Sequence, residues 1–143
     1  MPPLHFVAQR ADPSRIVVVQ GARSADLLLY GNKFAQLGVR TIVATDDGSH
    51  GVKGQVTGPL RDLLESERID SILSCGPPPM LAAVAMLARE FETPCQVSLE
   101  EHMACGIGIC MGCAVRDAVS PESEYHLVCA DGPVFDAQTV FPT

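Results

Sequence analysis

The first two thirds of the chain alternate between two periodicities. Ile16–Gln20 is a β-branched run with no polar alternation, the pattern of a strand covered on both faces. Gly21 stops it, and Ser24 is placed to cap a helix from about Ala25 to Leu37 that brings Leu27, Tyr30, Phe34 and Leu37 near one face. Gly38 ends that segment. Thr41–Thr45 predicts the next strand and Asp46-Asp-Gly-Ser49 a turn. Leu60, Leu63 and Leu64 predict a helix reaching about Glu67, and Ile69–Ser74 a third strand. After Cys75-Gly-Pro-Pro-Pro79, a helix from Met80 to about Phe91 turns Leu81, Val84, Leu87, Ala88 and Phe91 inward, its prolines suiting a helix N-terminus. Cys95–Leu99 is one more short strand. The order predicts an α/β fold, a parallel sheet with helices on both faces. From Glu100 the texture changes to glycines, cysteines and short strands. This divides the chain into a nucleotide-binding-type domain, 1–99, and a small metal- or cluster-binding module, 100–143.

Composition narrows the function classes. With 47% hydrophobic and 19% charged residues, 143 residues suffice for a buried core and are not a disordered chain. The net charge of −7 repels phosphate backbones and argues against nucleic-acid binding. No apolar run approaches the roughly 20 residues of a spanning helix, so no membrane association is expected. Met1–Arg10 shows no basic n-region before an apolar run, which predicts a cytoplasmic protein.

Six cysteines are the compositional outlier, and three of them fall within nine positions. Cys105, Cys110 and Cys113 follow C-x4-C-x2-C spacing, and fifteen residues separate Cys113 from Cys129. Three close thiolates and one distant one are the plant-type ferredoxin arrangement, so these four are expected to ligate one [2Fe–2S] cluster. Gly106, Gly108 and Gly112 let a loop wrap closely and aim backbone N–H groups at sulfur. Structural zinc is the alternative, but zinc sites usually pair two C-x2-C knuckles. His102 and His126 lie nearby, and the four cysteines leave them as ordinary loop residues. Cys95 is read as a small core residue. Cys75 ends a strand, where an open parallel sheet binds ligands; packing alone would also explain it.

Nucleotide signals are weaker singly. Gly21-Ala-Arg-Ser24 sits at a strand-to-helix turn, where a helix N-terminus and Arg23 can hold a phosphate. Asp46 and Asp47 follow a strand, where carboxylates can accept ribose hydroxyls. Each is also readable as a plain turn, and no G-x-G-x-x-G occurs.

In combination these segments resemble one family. Gly21-Ala-Arg-Ser-Ala-Asp-Leu27, Thr45-Asp-Asp-Gly-Ser49, Gly51-Val-Lys-Gly54, Cys75-Gly-Pro-Pro-Pro-Met80 and Ser98-Leu-Glu-Glu-His-Met-Ala-Cys105 with its cysteine loop occur in that order. The chain looks like electron-transfer subunits of NAD-dependent (type B) dihydroorotate dehydrogenase, which are ferredoxin reductase-like. The resemblance implies that Cys75, Gly76 and Pro77 lie at the nicotinamide of NAD. It places Gly21, Arg23, Ser24, Asp46 and Asp47 on the adenosine side. The cluster would face a catalytic partner subunit that holds FMN and dihydroorotate. Sulfide dehydrogenase and NADH-dependent ferredoxin:NADP oxidoreductase subunits look similar, and a non-enzymatic iron–sulfur module is the alternative from another class. Two departures stand out. The FAD-binding β-barrel of that family, about a hundred residues, has no counterpart here. Pro3–Arg10 resembles the helix after the family's first glycine loop, so the first strand is expected to be missing as well, in a truncated chain. In a doubly wound sheet that strand is central, and its loss would leave an unpaired seam.

Overall fold

A computed structural model of the chain describes residues 2–120 and 125–141. It is α/β and divides into two compact units, residues 1–69 and 70–143.

The first unit opens with helix α1, Pro2–Ala8, in the segment expected to be helical, and a short 3-10 turn whose Asp12 accepts from Ser14 N at 3.0 Å. The parallel sheet contains β1 (Val17–Ala22), β2 (Arg40–Thr45) and β3 (Val52–Lys53), in that order. Helix α2, Gly31–Gln36, connects β1 to β2. Helix α3, Thr57–Ser66, closes the unit with Leu63 buried and Leu60 and Leu64 half-buried, as their spacing predicts. Ala8, Val18, Phe34 and Val39 form the core, flanked by Leu4, Ile16, Tyr30 and Leu37.

The helix expected from Ala25 to Leu37 is not continuous. Ala25–Leu27 is a single 3-10 turn, and the chain is extended at Leu28. Tyr30 then takes a left-handed conformation (φ 66°) before α2 begins. The cause lies in β1, where the buried Gln20 side chain donates its amide to the Leu29 carbonyl, which a continuous helix would use internally. Leu27 is consequently 53% exposed, while Phe34 is fully buried.

The second unit carries β4 (Ile72–Cys75) and β5 (Cys95–Ser98) in parallel, with β8 (Val134–Asp136) antiparallel on the far side of β5. Helix α4, Pro78–Glu90, crosses between β4 and β5 and buries Leu81, Val84, Ala85, Leu87 and Ala88. Between β5 and β8 lies a separate hairpin of β6 (Ala114–Arg116) and β7 (Tyr125–Leu127). Helix α5, Ala137–Val140, is capped by Asp136, which accepts from Gln138 N at 2.8 Å. Among the described residues the strands fall into separate sheets, so β1 pairs only with β2, and β4 only with β5.

Candidate functional site

Residues 103–113 form a loop without regular structure that leads directly into β6. Gly106 (φ 69°) and Gly108 (φ 80°) take left-handed conformations, and so does Met111 (φ 59°), a conformation that costs a side-chain-bearing residue. This winding turns backbone N–H groups onto sulfur. Cys110 N donates to Cys105 Sγ, Gly112 N to Cys110 Sγ and Cys129 N to Cys113 Sγ, each at 3.4 Å. The first and last of these bonds join Cys105 to Cys110 and Cys113 to Cys129. The structure thus links the four cysteines singled out from spacing as two N–H···S pairs.

The pairs differ electrostatically. Cys105 is acidified to a pKa of about 6, first by N–H donation from Ile107, then from Cys110 and Ile109. Cys129 is shifted the other way, chiefly because the Cys113 thiol bonds to it, with lesser contributions from desolvation and the neighbouring charges of Cys113 and Cys105. Among the described residues no three His, Cys, Asp or Glu side chains group as they would around a single metal ion. The rim is apolar and exposed: Met103, Ile107 (70%), Ile109 (76%) and Met111 all face outward.

Cys95 is buried at the start of β5, its thiol pushed up to about 11 by burial and by the nearby Asp136 carboxylate, in keeping with a core residue. His102 is exposed. His126 is not an ordinary loop residue: it lies on β7, half-buried, with Nε2 3.1 Å from Asp117 Oδ2.

The residues of the nucleotide reading fall in both units, and each group is described within its own. In the first unit, Gly21 and Ala22 end β1, and Asp46 N and Asp47 N donate to the Ala22 and Arg23 carbonyls at 3.1 and 3.2 Å. This brings Gly21-Ala-Arg-Ser24 beside Asp46-Asp47. Gly21 is needed there, because a Cβ would overlap the Val56 side chain. One expected acceptor, Asp47, is already engaged. Asp47 Oδ1 accepts from Ser49 N (2.9 Å) and Oγ (2.6 Å), and the Ser49 hydroxyl in turn accepts from Ala25 N at 2.8 Å. Those bonds hold the Asp47 carboxyl below the usual carboxylate range. Ser24 makes no capping bond, and a three-residue turn replaces the helix N-terminus expected to bind phosphate. Arg23 and Asp46 remain exposed at the carboxyl ends of β1 and β2.

In the second unit, Cys75 is buried at the carboxyl end of β4, with Sγ 4.0 Å from Glu100 Oε1. Gly76 passes so close to Met80 that a Cβ would press on its thioether, and Pro77 caps α4. Gly76, Leu81, Leu99, Glu100 and Phe141 line a cavity of about 80 Å³ beside it.

Residues 100–141 match the family described as the iron–sulfur cluster binding domain of dihydroorotate dehydrogenase B. The chain is 38% identical over 138 residues to a dihydroorotate dehydrogenase B (NAD(+)) electron transfer subunit of Caldanaerobacter subterraneus, covering 96% of this chain and 54% of that protein. A probable subunit of the same name from Methanocaldococcus jannaschii is 42% identical over 120 residues, covering 84% of this chain and 44% of that one. Among solved structures, that of an NADH-dependent reduced ferredoxin-NADP oxidoreductase, studied for flavin-based electron bifurcation, superposes with a TM-score of 0.79 at 34% identity. It covers 96% of this chain and 49% of that one. The chain thus spans about half the length of the relatives it matches. Residues 100–141 thus match an iron–sulfur cluster binding domain of the dihydroorotate dehydrogenase B type, and over nearly its whole length the chain is similar to electron transfer subunits of that enzyme.

Proposed function

We propose that this chain is the cluster-bearing part of an electron-transfer subunit of an NAD-linked dihydroorotate dehydrogenase, with Cys105, Cys110, Cys113 and Cys129 holding one [2Fe–2S] cluster. The observation that carries this is the linking of the four cysteines into two N–H···S pairs inside the matched segment. When bound, the group supplies one-electron transfer between the FMN of a catalytic partner and the FAD and NAD of the complete subunit. The loop amides of Ile107, Ile109 and Cys110 hold Cys105 as a thiolate, ready to ligate iron. Met103, Ile107, Ile109 and Met111 surround the thiols with apolar surface, suited to excluding water where a partner docks. Residues 100–143 are the cluster module in this reading, and residues 1–99 the partial nucleotide domain. Purified protein reconstituted with iron and sulfide under anaerobic conditions is expected to be reddish-brown and, when reduced, to give a spin one-half paramagnetic resonance signal. Zinc in place of iron and labile sulfide would sink the assignment. Serine at any of the four ligands should abolish or strongly perturb the signal, and serine at Cys95 should leave it intact.

The nucleotide reading assigns Gly21, Arg23, Ser24, Asp46 and Asp47 to the adenosine side of NAD, and Cys75, Gly76 and Pro77 to the nicotinamide. Asp46, exposed at the end of β2, carries the preference: a carboxylate there accepts from a ribose diol and repels a 2′-phosphate. A chain joined to the part of its relatives that it does not span should bind NAD more tightly than NADP in parallel titrations. Tighter NADP binding overturns this.

One observation favours a second partner. The structural match is to an NADH-dependent ferredoxin-NADP oxidoreductase, so a ferredoxin-linked complex is the competing reading. Electron transfer from a dihydroorotate-oxidising partner but not from reduced ferredoxin decides for the first.

A further inference from the structure

The two strands of the β6–β7 hairpin are continuous with two of the four candidate ligands. Cys113 immediately precedes β6, and Cys129 follows β7 by two residues. Among the described residues three pairs, Ala114↔Leu127, Val115↔His126 and Arg116↔Tyr125, set the register. A hairpin this short is marginal by itself. Its far end is tied by Asp117. The Asp117 side chain is 10% exposed. Its Oδ1 accepts from Val119 N at 2.7 Å and Ser120 N at 3.0 Å, and its Oδ2 lies 3.1 Å from His126 Nε2.

His126 in turn reaches the main sheet of this unit. Its ring centroid is 5.7 Å from that of Phe135, which is buried on β8 opposite Val97 of β5. At the near end, Val128 N donates to the Cys113 carbonyl at 3.1 Å and Cys129 N to Cys113 Sγ at 3.4 Å. A rigid sequence of contacts therefore runs from β8 through His126 and Asp117 along the hairpin to that sulfur.

We propose that Asp117 and His126 are positioning residues for the cluster: their bond fixes the hairpin register that aims Cys129 N–H at Cys113 Sγ, and so sets the reduction potential. This rests on the cluster reading above. Neither residue is a ligand. The physical ground is that hydrogen bonds to sulfur stabilise the electron-rich reduced state and are among the determinants of iron–sulfur potentials. Slackening the register lengthens that N–H···S contact and lowers the potential.

The test compares reconstituted wild type, His126→Phe and His126→Gln. Phenylalanine keeps a ring against Phe135 and removes the bond to Asp117; glutamine keeps a donor. Iron and labile sulfide are counted, and the midpoint potential is followed by paramagnetic resonance from pH 6 to 9. We expect all three to carry equal iron. His126→Phe should be harder to reduce by roughly tenfold in the equilibrium, about 59 mV for one electron, with the same offset at every pH. His126→Gln should recover most of it. An unchanged potential in a fully loaded His126→Phe overturns the proposal. So does an offset confined to the acid end, which would mark a charge effect. If His126→Phe does not load while His126→Gln loads at the wild-type potential, the donor is needed to set the ligands and the proposal stands. A wild-type chain that takes up no iron overturns the cluster reading and this one together; a loaded wild type with an insensitive His126→Phe overturns this one alone.

Discussion

At the residue scale, the cysteines of one sequence occupy opposite electrostatic environments, and their chemistry should differ accordingly. Cys105 sits under the amides of Ile107, Cys110 and Ile109, which stabilise its charged form and bring its pKa to about 6. Cys95 is buried beside Asp136, which disfavours its charged form and raises it to about 11. The thiolate is the nucleophile, so limited alkylation of the cluster-free chain at pH 7 should mark Cys105 and spare Cys95. The rate at Cys105 should fall as pH drops through about 6. The sign follows from the lowered pKa: the folded loop prefers the thiolate, so its contribution to loop stability is complete above the ordinary thiol pKa and is lost as pH falls through the folded value. Peptide mapping by mass spectrometry checks this, and equal labelling of Cys95 and Cys105 would contradict it. Asp117 and His126 are the residues that spacing did not reveal. Four cysteines complete a ligand set by count, so a nearby histidine has no evident task in a linear reading. Its role depends on which side of β7 it faces, and that follows from the Val115↔His126 register and from Phe135 on a third strand.

At the scale of elements, what the sequence made legible follows the strength of local periodicity. Helix α4 was readable because Leu81, Val84, Leu87 and Ala88 repeat at helical spacing behind a proline-rich start, and all four are buried. The β-branched runs of β1 and β2 were readable for the same kind of reason. The helix expected over Ala25–Leu37 failed because a side chain on another element, Gln20, competes for the Leu29 carbonyl, and because Tyr30 accepts a left-handed conformation. The pattern of apolar residues is blind to both. The two-residue β3 was missed because its pairing to β2 is carried by the Asp46–Gly51 turn, with no strand pattern of its own. Gly51 is essential to that turn, since its φ is 68° and a Cβ would overlap the Val43 carbonyl. Burial within α4 gives a quantitative expectation. Leu81 is 1% exposed and Met86 is 66% exposed on the same helix. Leu81→Ala should cost about 2–5 kcal/mol, and Met86→Ala should change stability by no more than about 0.5 kcal/mol. Thermal or denaturant unfolding of the two variants against wild type measures the difference. Comparable losses from both would mean that α4 does not use its buried face as described.

At the scale of the whole molecule, the proposed cluster and nucleotide residues of these 143 positions bear on which reactions the chain should carry out by itself. The 143 positions span about half the length of the relatives they match. The consequence for activity is chemical. Reduction of NAD requires a hydride, two electrons moving with one proton's nucleus, whereas an iron–sulfur cluster passes one electron at a time. A flavin is needed to convert between the two, and a dihydroorotate site is needed to supply the electrons. The edges of the fold point the same way. Among the described residues β1, with three consecutive valines, pairs on one side only, as does β4. Unpaired apolar edges invite pairing with further chain. We therefore expect that this chain, reconstituted with its cluster, forms no NADH from dihydroorotate and NAD. Adding an FMN-containing catalytic partner alone should reduce the cluster without producing NADH. Adding a separately expressed flavin domain as well should restore NADH formation if the two halves assemble. The assay follows absorbance of NADH alongside bleaching of the cluster. NADH formed by the chain without any flavoprotein would refute the reading, and a cluster that stays oxidised in the presence of the reduced partner would remove dihydroorotate as its source of electrons.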